Sequence, residues 1–159
     1  MKIYSKAVLG MKAKDIMTHD PITIGPKTNI REIAEILTTH NISGLPVVGE
    51  DGAVLGIVSE GDLMRKEIAP KTPDVLSILG AIIYYNGLKE YQQAFRKMSA
   101  TTAEEIMTDR VVTVQQHEEV SQVGQIMLDH GIKRVPVLAG NQLVGIISRS
   151  DIVKMLLQE

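Results

Sequence analysis

The 159-residue chain contains two copies of one sequence pattern. A shift of about 90 residues aligns three segments in the same order: one with Ile-Met-Thr, an aliphatic-Pro-Val segment, and Gly-aliphatic-aliphatic-Ser-x-x-Asp. They lie at residues 13–18, 45–48 and 56–62 in the first copy and at residues 103–108, 135–138 and 145–151 in the second. Because a repeat of this length constrains the whole architecture, the chain is expected to fold as two like structures.

Each copy has the pattern of a strand, a helix, two strands and a second helix, which predicts an α+β fold. Short strands are predicted at residues 22–24 and 111–114, where β-branched residues dominate. Thr28 and Asn29 precede a run of apolar residues at helical spacing and can cap that helix. An Asp-Gly pair within residues 49–52 predicts a hairpin turn, and residues 139–141 take the same place in the second copy.

The repeats divide the chain into four predicted parts. These are an N-terminal segment at 1–12, the first repeat at 13–66, an insertion at 67–102 and the second repeat at 103–159. In the insertion, the broad apolar face of residues 75–98 predicts one or two helices. Four of the five Tyr and Phe residues fall here, namely Tyr84, Tyr85, Tyr91 and Phe95. Their role stays open between extra core, a dimer contact and a cover over a cleft.

Composition excludes several functions. The chain has 17 basic and 19 acidic side chains, a formal charge of −2, so it lacks the cationic excess of a general nucleic-acid binder. It has no cysteine, which removes disulfides and thiolate metal sites and suits a reducing compartment. No apolar stretch is long enough to span a bilayer, and residues 1–12 lack the apolar core of a signal peptide. We therefore expect a cytoplasmic protein that does not insert into membranes.

The sequence gives little support for catalysis. It contains no Ser-His-Asp arrangement, no HExxH and no glycine-rich phosphate loop, and its four histidines lack metal-ligand spacing. His40 and His130 end equivalent helices, where the helix dipole favours them. Hydrolysis through Asp62 or Asp151 would need a general base or metal ligands, and none is recognisable nearby in sequence. No catalytic residue, metal site or required cofactor is predicted.

The repeated Ser-x-x-Asp has two interpretations. Ser59 with Asp62, and Ser148 with Asp151, stand where a strand becomes a helix, so each pair can form a capping box. A carboxylate at this junction can also accept hydrogen bonds from the two hydroxyls of a ribose, as acidic residues do in other nucleotide sites. Both roles require an ionised aspartate.

Taken together, the three repeated segments resemble those of CBS domains, and the two copies resemble a CBS domain pair, or Bateman module. The resemblance covers residues 13–66 and 103–156. It implies two repeats packed through their sheets about a pseudo-twofold axis, with two clefts for adenosine ligands such as AMP, ADP, ATP or S-adenosylmethionine. It also implies a regulatory sensor rather than a catalyst, and pairing into homodimers.

The resemblance also implies the ligand-binding residues. Ser59 with Asp62 and Ser148 with Asp151 would lie at the ribose of the two clefts. Only the second copy has a basic pair before its Pro-Val strand, which makes the Asp151 cleft the stronger phosphate site, although two ordinary surface cations remain the alternative. The resemblance further implies that each cleft borrows residues from the other repeat. The other residues expected around the Asp151 cleft are Lys133 and Arg134 at the phosphates, Gly145, Ile146 and Ile147 beneath the adenine, and Lys14 to Thr18 with Ile42, Ser43 and Gly44 in its walls.

These expectations lead to two candidate functions. The first is a regulatory module that binds an adenosine ligand, changes conformation or association, and passes the signal to an unidentified effector protein. The second is a structural oligomerisation module with vestigial clefts. Nucleotide-dependent thermal stabilisation discriminates between them.

Overall fold

The computed structural model describes residues 10–68, 73–78 and 81–155. The helices are α1 (Ala13–Ile16), α2 (Ile30–His40), α3 (Glu60–Glu67), α4 (Leu88–Met98), α5 (Ala103–Ile106), α6 (Val120–Asp129) and α7 (Arg149–Lys154). The strands are β1 (Thr18–His19), β2 (Gly44–Val48), β3 (Val54–Ser59), β4 (Asp74–Ile78), β5 (Ala81–Asn86), β6 (Val114–Gln115), β7 (Arg134–Ala139) and β8 (Gln142–Ser148). Each repeat has the order helix, strand, helix, strand, strand, helix, which agrees with the predicted α+β fold.

The chain forms two compact units that do not coincide with the two repeats. The Asp151 unit contains the described residues of Met1–Thr23, Val48–Leu55 and Asp109–Glu159. The Asp62 unit contains those of Ile24–Val47 and Gly56–Thr108. Each unit therefore takes the Ile-Met-Thr segment that begins the other repeat.

The Asp151 unit is built on a four-stranded sheet with the order β1-β8-β7-β6. β7 and β8 are antiparallel with Arg134 opposite Ser148, and β1 adds to the edge of β8 with Thr18 opposite Ile146. β6 runs parallel to β7. The core consists of Ala13, Met17, Val114, Val123, Met127, Val135, Val137 and Ile147.

The Asp62 unit repeats this register with fewer paired residues. β2 and β3 form a two-stranded sheet. Ile24 makes a parallel bridge to Val47, and Ile57 an antiparallel bridge to Thr108, which are the positions equivalent to the β6–β7 and β1–β8 pairs. The core consists of Ile24, Ile33, Leu37, Leu45, Val47, Val58, Ala100, Ala103 and Ile106.

A close contact between a methionine side chain and a glycine explains why the Ile-Met-Thr segment and the Gly-aliphatic-aliphatic-Ser segment recur together. A Cβ added at Gly145 would collide with the side chain of Met17, and one at Gly56 would collide with Met107. Each glycine therefore lets a strand approach the methionine of a segment that is distant in sequence. The resemblance placed both segments around the Asp151 cleft, but the contact between the methionine and the glycine was not predicted.

Local signals predicted most boundaries. Asn29 caps α2, since its side chain accepts a hydrogen bond of 2.9 Å from the backbone N–H of Glu32. The turn predicted at 139–141 connects β7 and β8, and Gly140 has a φ of +63°. The predicted strands at 22–24 and 111–114 were too long, because only Ile24 makes a bridge in the first and β6 begins at Val114.

The prediction of one or two helices for the insertion was wrong in its first half. β4 and β5 form an antiparallel hairpin, and only the second half is helical, as α4. The strands carry the β-branched and aromatic residues Val75, Ile82, Ile83 and Tyr84, whose preference for extended backbone outweighs their helical spacing. The N-terminal segment predicted at 1–12 lies mostly outside the described residues.

Candidate functional site

Asp151 lies at the junction where β8 ends and α7 begins. Its Oδ2 accepts hydrogen bonds from the backbone N–H of Ser148 at 2.8 Å and from the Ser148 hydroxyl at 2.6 Å. The Ser148 Oγ in turn accepts a bond of 3.4 Å from the Asp151 N–H. The capping box predicted for this pair is therefore present. It orients the carboxylate and uses one of its two oxygens.

Among the described residues, the second oxygen of Asp151 is only loosely paired. Its Oδ1 lies 3.7 Å from the Nζ of Lys154, whose side chain is 70% exposed. The Asp151 side chain itself is 20% exposed. An ion pair with one solvated partner at this distance is weak, so Oδ1 can exchange Lys154 for another donor at small cost.

A cavity of about 220 Å³ opens beside this carboxylate. It is lined by Met11, Asp15 and Ile16 on one side and by Asp151, Lys154 and Met155 on the other. All six residues belong to the Asp151 unit. The lining combines apolar side chains with two carboxylates and one ammonium, which suits a ligand with an apolar face and hydrogen-bond donors.

The predicted basic pair lies at the start of β7. Lys133 is exposed, and its carbonyl accepts a hydrogen bond of 3.0 Å from the backbone N–H of Arg149. Arg134 is partly buried and lies opposite Ser148 in the β7–β8 register. The pair is therefore on the strand next to the Ser148–Asp151 junction, although neither residue lines the cavity.

The segment that contains Lys14 and Thr18 lies beside β8, where the resemblance placed it. Thr18 is exposed opposite Ile146, and Lys14 is exposed on α1. Ile147 is 0% exposed and belongs to the core of the Asp151 unit, so its side chain is not open to a ligand. Ile146 is partly buried.

Three other predicted wall residues belong to the Asp62 unit. Ile42 packs against the core of that unit, and the carbonyl of Ser43 accepts a hydrogen bond of 3.1 Å from the Glu60 N–H. Gly44 begins β2. Their participation in the Asp151 cleft stays a prediction.

The equivalent carboxylate, Asp62, has a different environment. It is 2% exposed, and its Oδ2 accepts hydrogen bonds from the Ser59 N–H at 2.9 Å and the Ser59 hydroxyl at 2.7 Å. Its Oδ1 accepts bonds from Arg65 at 2.9 Å and from the Nζ of Lys97 at 2.6 Å. The capping box predicted for Ser59 and Asp62 is present, but the ligand role predicted for this pair gains no support, because both oxygens are already occupied.

Opposing effects determine the pKa of Asp62. Burial acts to raise the pKa, but hydrogen bonds from Lys97, Ser59 and Arg65 and the charge of Lys97 outweigh it. The pKa of this carboxyl is therefore held below its ordinary value of 3.8. Asp62 is ionised at neutral pH and balances two cations.

Sequence reasoning missed Lys97 and Lys154. A signal existed for Lys154, since both repeats carry a cation three residues after the aspartate, Arg65 in the first and Lys154 in the second. Asp15 lies within the wall predicted at residues 14–18, and it lines the cavity. Lys97 belongs to the insertion, which has no aligned counterpart.

Residues 10–68, 73–78 and 81–155 contain neither a metal site nor a membrane-spanning helix. No cluster of three or more His, Asp or Glu side chains there is arranged to hold a metal ion. Over the same ranges, every helix is too short or too polar to cross a membrane.

Comparison with known proteins identifies the repeats. The CBS domain family matches residues 13–68 and 103–158. YlbB of Bacillus subtilis, whose function is uncharacterised, is 30% identical over 142 residues, which cover 89% of this chain and 79% of the relative. The L-aspartate semialdehyde sulfurtransferase of Methanocaldococcus jannaschii is 31% identical over 143 residues, but the match covers 22% of that enzyme.

Two solved structures of similar length carry adenosine compounds. CBSX2, crystallised in complex with AMP, has a TM-score of 0.77 and 25% identity, covering 94% of this chain and 98% of CBSX2. The CBS domain pair of protein MJ0100, crystallised with 5′-methylthioadenosine and S-adenosylmethionine, has a TM-score of 0.69 and 30% identity, covering 93% and 97%. With two matched domains that make up most of its length and CBS-pair structures among its structural neighbours, this chain belongs to the CBS domain family as a tandem CBS pair.

Proposed function

We propose that this protein is a regulatory module that binds an adenosine ligand in the cavity beside Asp151. The observation that carries the proposal is the state of that carboxylate, which is fixed by Ser148 through one oxygen and only loosely paired through the other. A fixed acceptor with an available oxygen is what two ribose hydroxyls require. The AMP and S-adenosylmethionine complexes of the structural neighbours support the same ligand class.

The charges around the site favour different parts of the ligand. The cavity holds the carboxylates of Asp15 and Asp151 with one ammonium, so it favours the sugar and disfavours a phosphate. Lys133 and Arg134 lie on the neighbouring strand outside the cavity and are the groups for a phosphate. AMP would use both regions. S-adenosylmethionine would place its sulfonium and ammonium at the acidic one, and its single carboxylate would gain less from the basic pair than a phosphate does.

Sensing would follow from differential binding. A ligand shifts the protein between states only if it binds one state better than the other. The lining from α1 and α7 comes from segments far apart in sequence, so a bound adenosine would hold them together. A separate effector protein would then respond to that state.

The test is a calorimetric titration of AMP, ATP and S-adenosylmethionine into wild type, Asp151→Asn and Arg134→Ala. We expect Asp151→Asn to weaken every ligand by at least about tenfold, since hydrogen bonds to a charged group contribute about 1.5–3 kcal/mol each. Arg134→Ala should weaken AMP and ATP more than S-adenosylmethionine, whose single carboxylate carries less negative charge than their phosphates. Asp129→Asn, which removes an exposed carboxylate at the end of α6, is the matched control. Unchanged affinity in Asp151→Asn would eliminate the site.

A structural oligomerisation module is the second candidate. It is favoured by exposed apolar side chains on the insertion, with Ile82 64% and Phe95 51% exposed. Under this proposal a second copy of the chain covers them, and ligands are irrelevant. Light scattering on Ile82→Asp and Phe95→Asp tests these contacts, since a dimer held by them would dissociate and a dimer held elsewhere would not. Thermal melts with and without nucleotide distinguish the two candidates, since only a ligand-binding module is stabilised.

A further inference from the structure

We propose that Lys97 closes the first repeat to ligands, so that the chain takes one adenosine ligand, at the Asp151 repeat. Helix α4 holds the Lys97 ammonium against the carboxylate that would otherwise receive the ribose. The inference rests on the proposed function, because it assigns that function to one repeat. It makes Lys97 the residue that determines the binding stoichiometry.

Lys97 contacts the Asp62 carboxylate directly. The Nζ of Lys97 is 2.6 Å from the Oδ1 of Asp62, and the Lys97 side chain is 23% exposed. The neighbouring Lys66 donates a hydrogen bond of 2.8 Å to the carbonyl of Met98. The C-terminal end of α4 is thus bound to α3 at two consecutive residues, Lys97 and Met98. Lys97 makes its contact through the carboxylate of Asp62.

Helix α4 also packs beside two elements of the Asp62 unit, one of which contains Asp62. In the Asp151 unit the cavity lies between the segment that contains α1 and the one that contains α7. The equivalent elements of the Asp62 unit are α5 and α3, and α4 packs against both of them. Helix α4 therefore lies beside the two elements that correspond to the walls of the cavity, and its Lys97 reaches the carboxylate that one of them carries.

A ligand at Asp62 would have to replace one of the donors that this carboxylate already has. Asp62 already accepts four hydrogen bonds, from Ser59 twice and from Arg65 and Lys97. A ribose hydroxyl is a neutral donor, and it would have to replace a charged donor that binds a carboxylate more strongly. Displacement would also leave the Lys97 ammonium, which is mostly buried, without its partner. Asp151 requires neither exchange, because Lys154 is exposed and more distant.

The experiment counts ligands. AMP and S-adenosylmethionine are titrated calorimetrically into wild type, Asp151→Asn, Lys97→Ala and the double variant Lys97→Ala with Asp62→Asn. We expect one ligand per chain in wild type, two in Lys97→Ala, and one again in the double variant. Lys89→Ala, which removes an exposed lysine from the same helix, should bind one ligand. Lys97→Ser is prepared as well, and thermal melts identify any variant that has not folded.

The outcomes separate this inference from the proposed function. Two ligands per chain in wild type, or one per chain in both folded Lys97 variants, would overturn the closure by Lys97. Wild-type binding that survives Asp151→Asn unchanged would instead overturn the site at Asp151. Binding that is absent in wild type and appears in Lys97→Ala would support closure and contradict the function proposed for Asp151.

Discussion

Asp62 and Asp151 occupy equivalent positions in two copies of the same pattern, yet their carboxylates are in different states. Both are held by a capping box from the preceding serine. The side chain of Asp62 is 3% exposed and bound by two cations, whereas that of Asp151 is 20% exposed and loosely paired with one. The difference lies in what packs onto the junction, since α4 supplies Lys97 only to Asp62. A repeated motif therefore defines where a carboxylate lies, and the neighbouring element decides whether it is available.

Replacing each aspartate by alanine should give the largest difference between the repeats. Asp62→Ala leaves Lys97 and Arg65 without their partner, and we expect it to lower the free energy of unfolding by about 3 kcal/mol, the lower end for breaking a buried pair because Arg65 is 59% exposed. Asp151→Ala removes mainly the cap, and we expect about 1 kcal/mol. Urea denaturation measures both. Equal losses would show that Lys97 contributes nothing to stability.

The methionine–glycine contacts should respond alike in the two units. Gly145→Ala and Gly56→Ala each place a Cβ against a methionine, and we expect both to destabilise by about 2 kcal/mol through overpacking. Gly56→Ala should cost at least as much, since its Cβ would also lie 3.0 Å from the backbone carbonyl of Thr108, which cannot withdraw as a side chain can. Combining Gly145→Ala with Met17→Ala should cost less than the sum of the two single changes. Strict additivity would rule out the contact.

Acid should weaken the Asp62 junction. Because the folded-state pKa of Asp62 lies below its ordinary value, its contribution to stability is complete above pH 3.8 and is lost as the pH falls from there through the folded-state pKa. We therefore expect Asp62→Asn to flatten the fall in melting temperature below pH 3.8, relative to wild type. Asp129→Asn serves as the control for removing one carboxyl group. Parallel curves for wild type and Asp62→Asn would contradict the shift.

The smallest expected effect comes from making α6 more like α2. Gly124 occupies the position of Ala34 in the first repeat, and a Cβ there would make an ordinary contact of 3.8 Å with Ile152. Gly124→Ala should therefore stabilise the protein by about 0.5–1 kcal/mol, the usual gain for a glycine inside a helix. Thermal unfolding gives the sign. A loss of stability would mean that the two helices pack differently.

The sequence predicted what each repeat does locally. Asn29 as a cap, the turn at 139–141 and both capping boxes follow from short patterns whose partners are a few residues apart. The first half of the insertion was wrongly predicted to be helical. Residues such as Ile82 and Ile83 have helical spacing but also a preference for strands, so their pattern does not decide between the two. Lys97 is 35 residues from Asp62, and no alignment between the repeats points to it.

Interleaved segments also determine how the protein can be divided. Residues 13–23 of the first repeat complete the Asp151 unit, and residues 103–108 of the second complete the Asp62 unit. A cut in the insertion would give two polypeptides, each with a full repeat but with neither unit whole, since Met17 and Gly145 would be on different fragments. Such fragments would be expected to recover structure only when mixed, because each carries a segment that the core of the other requires.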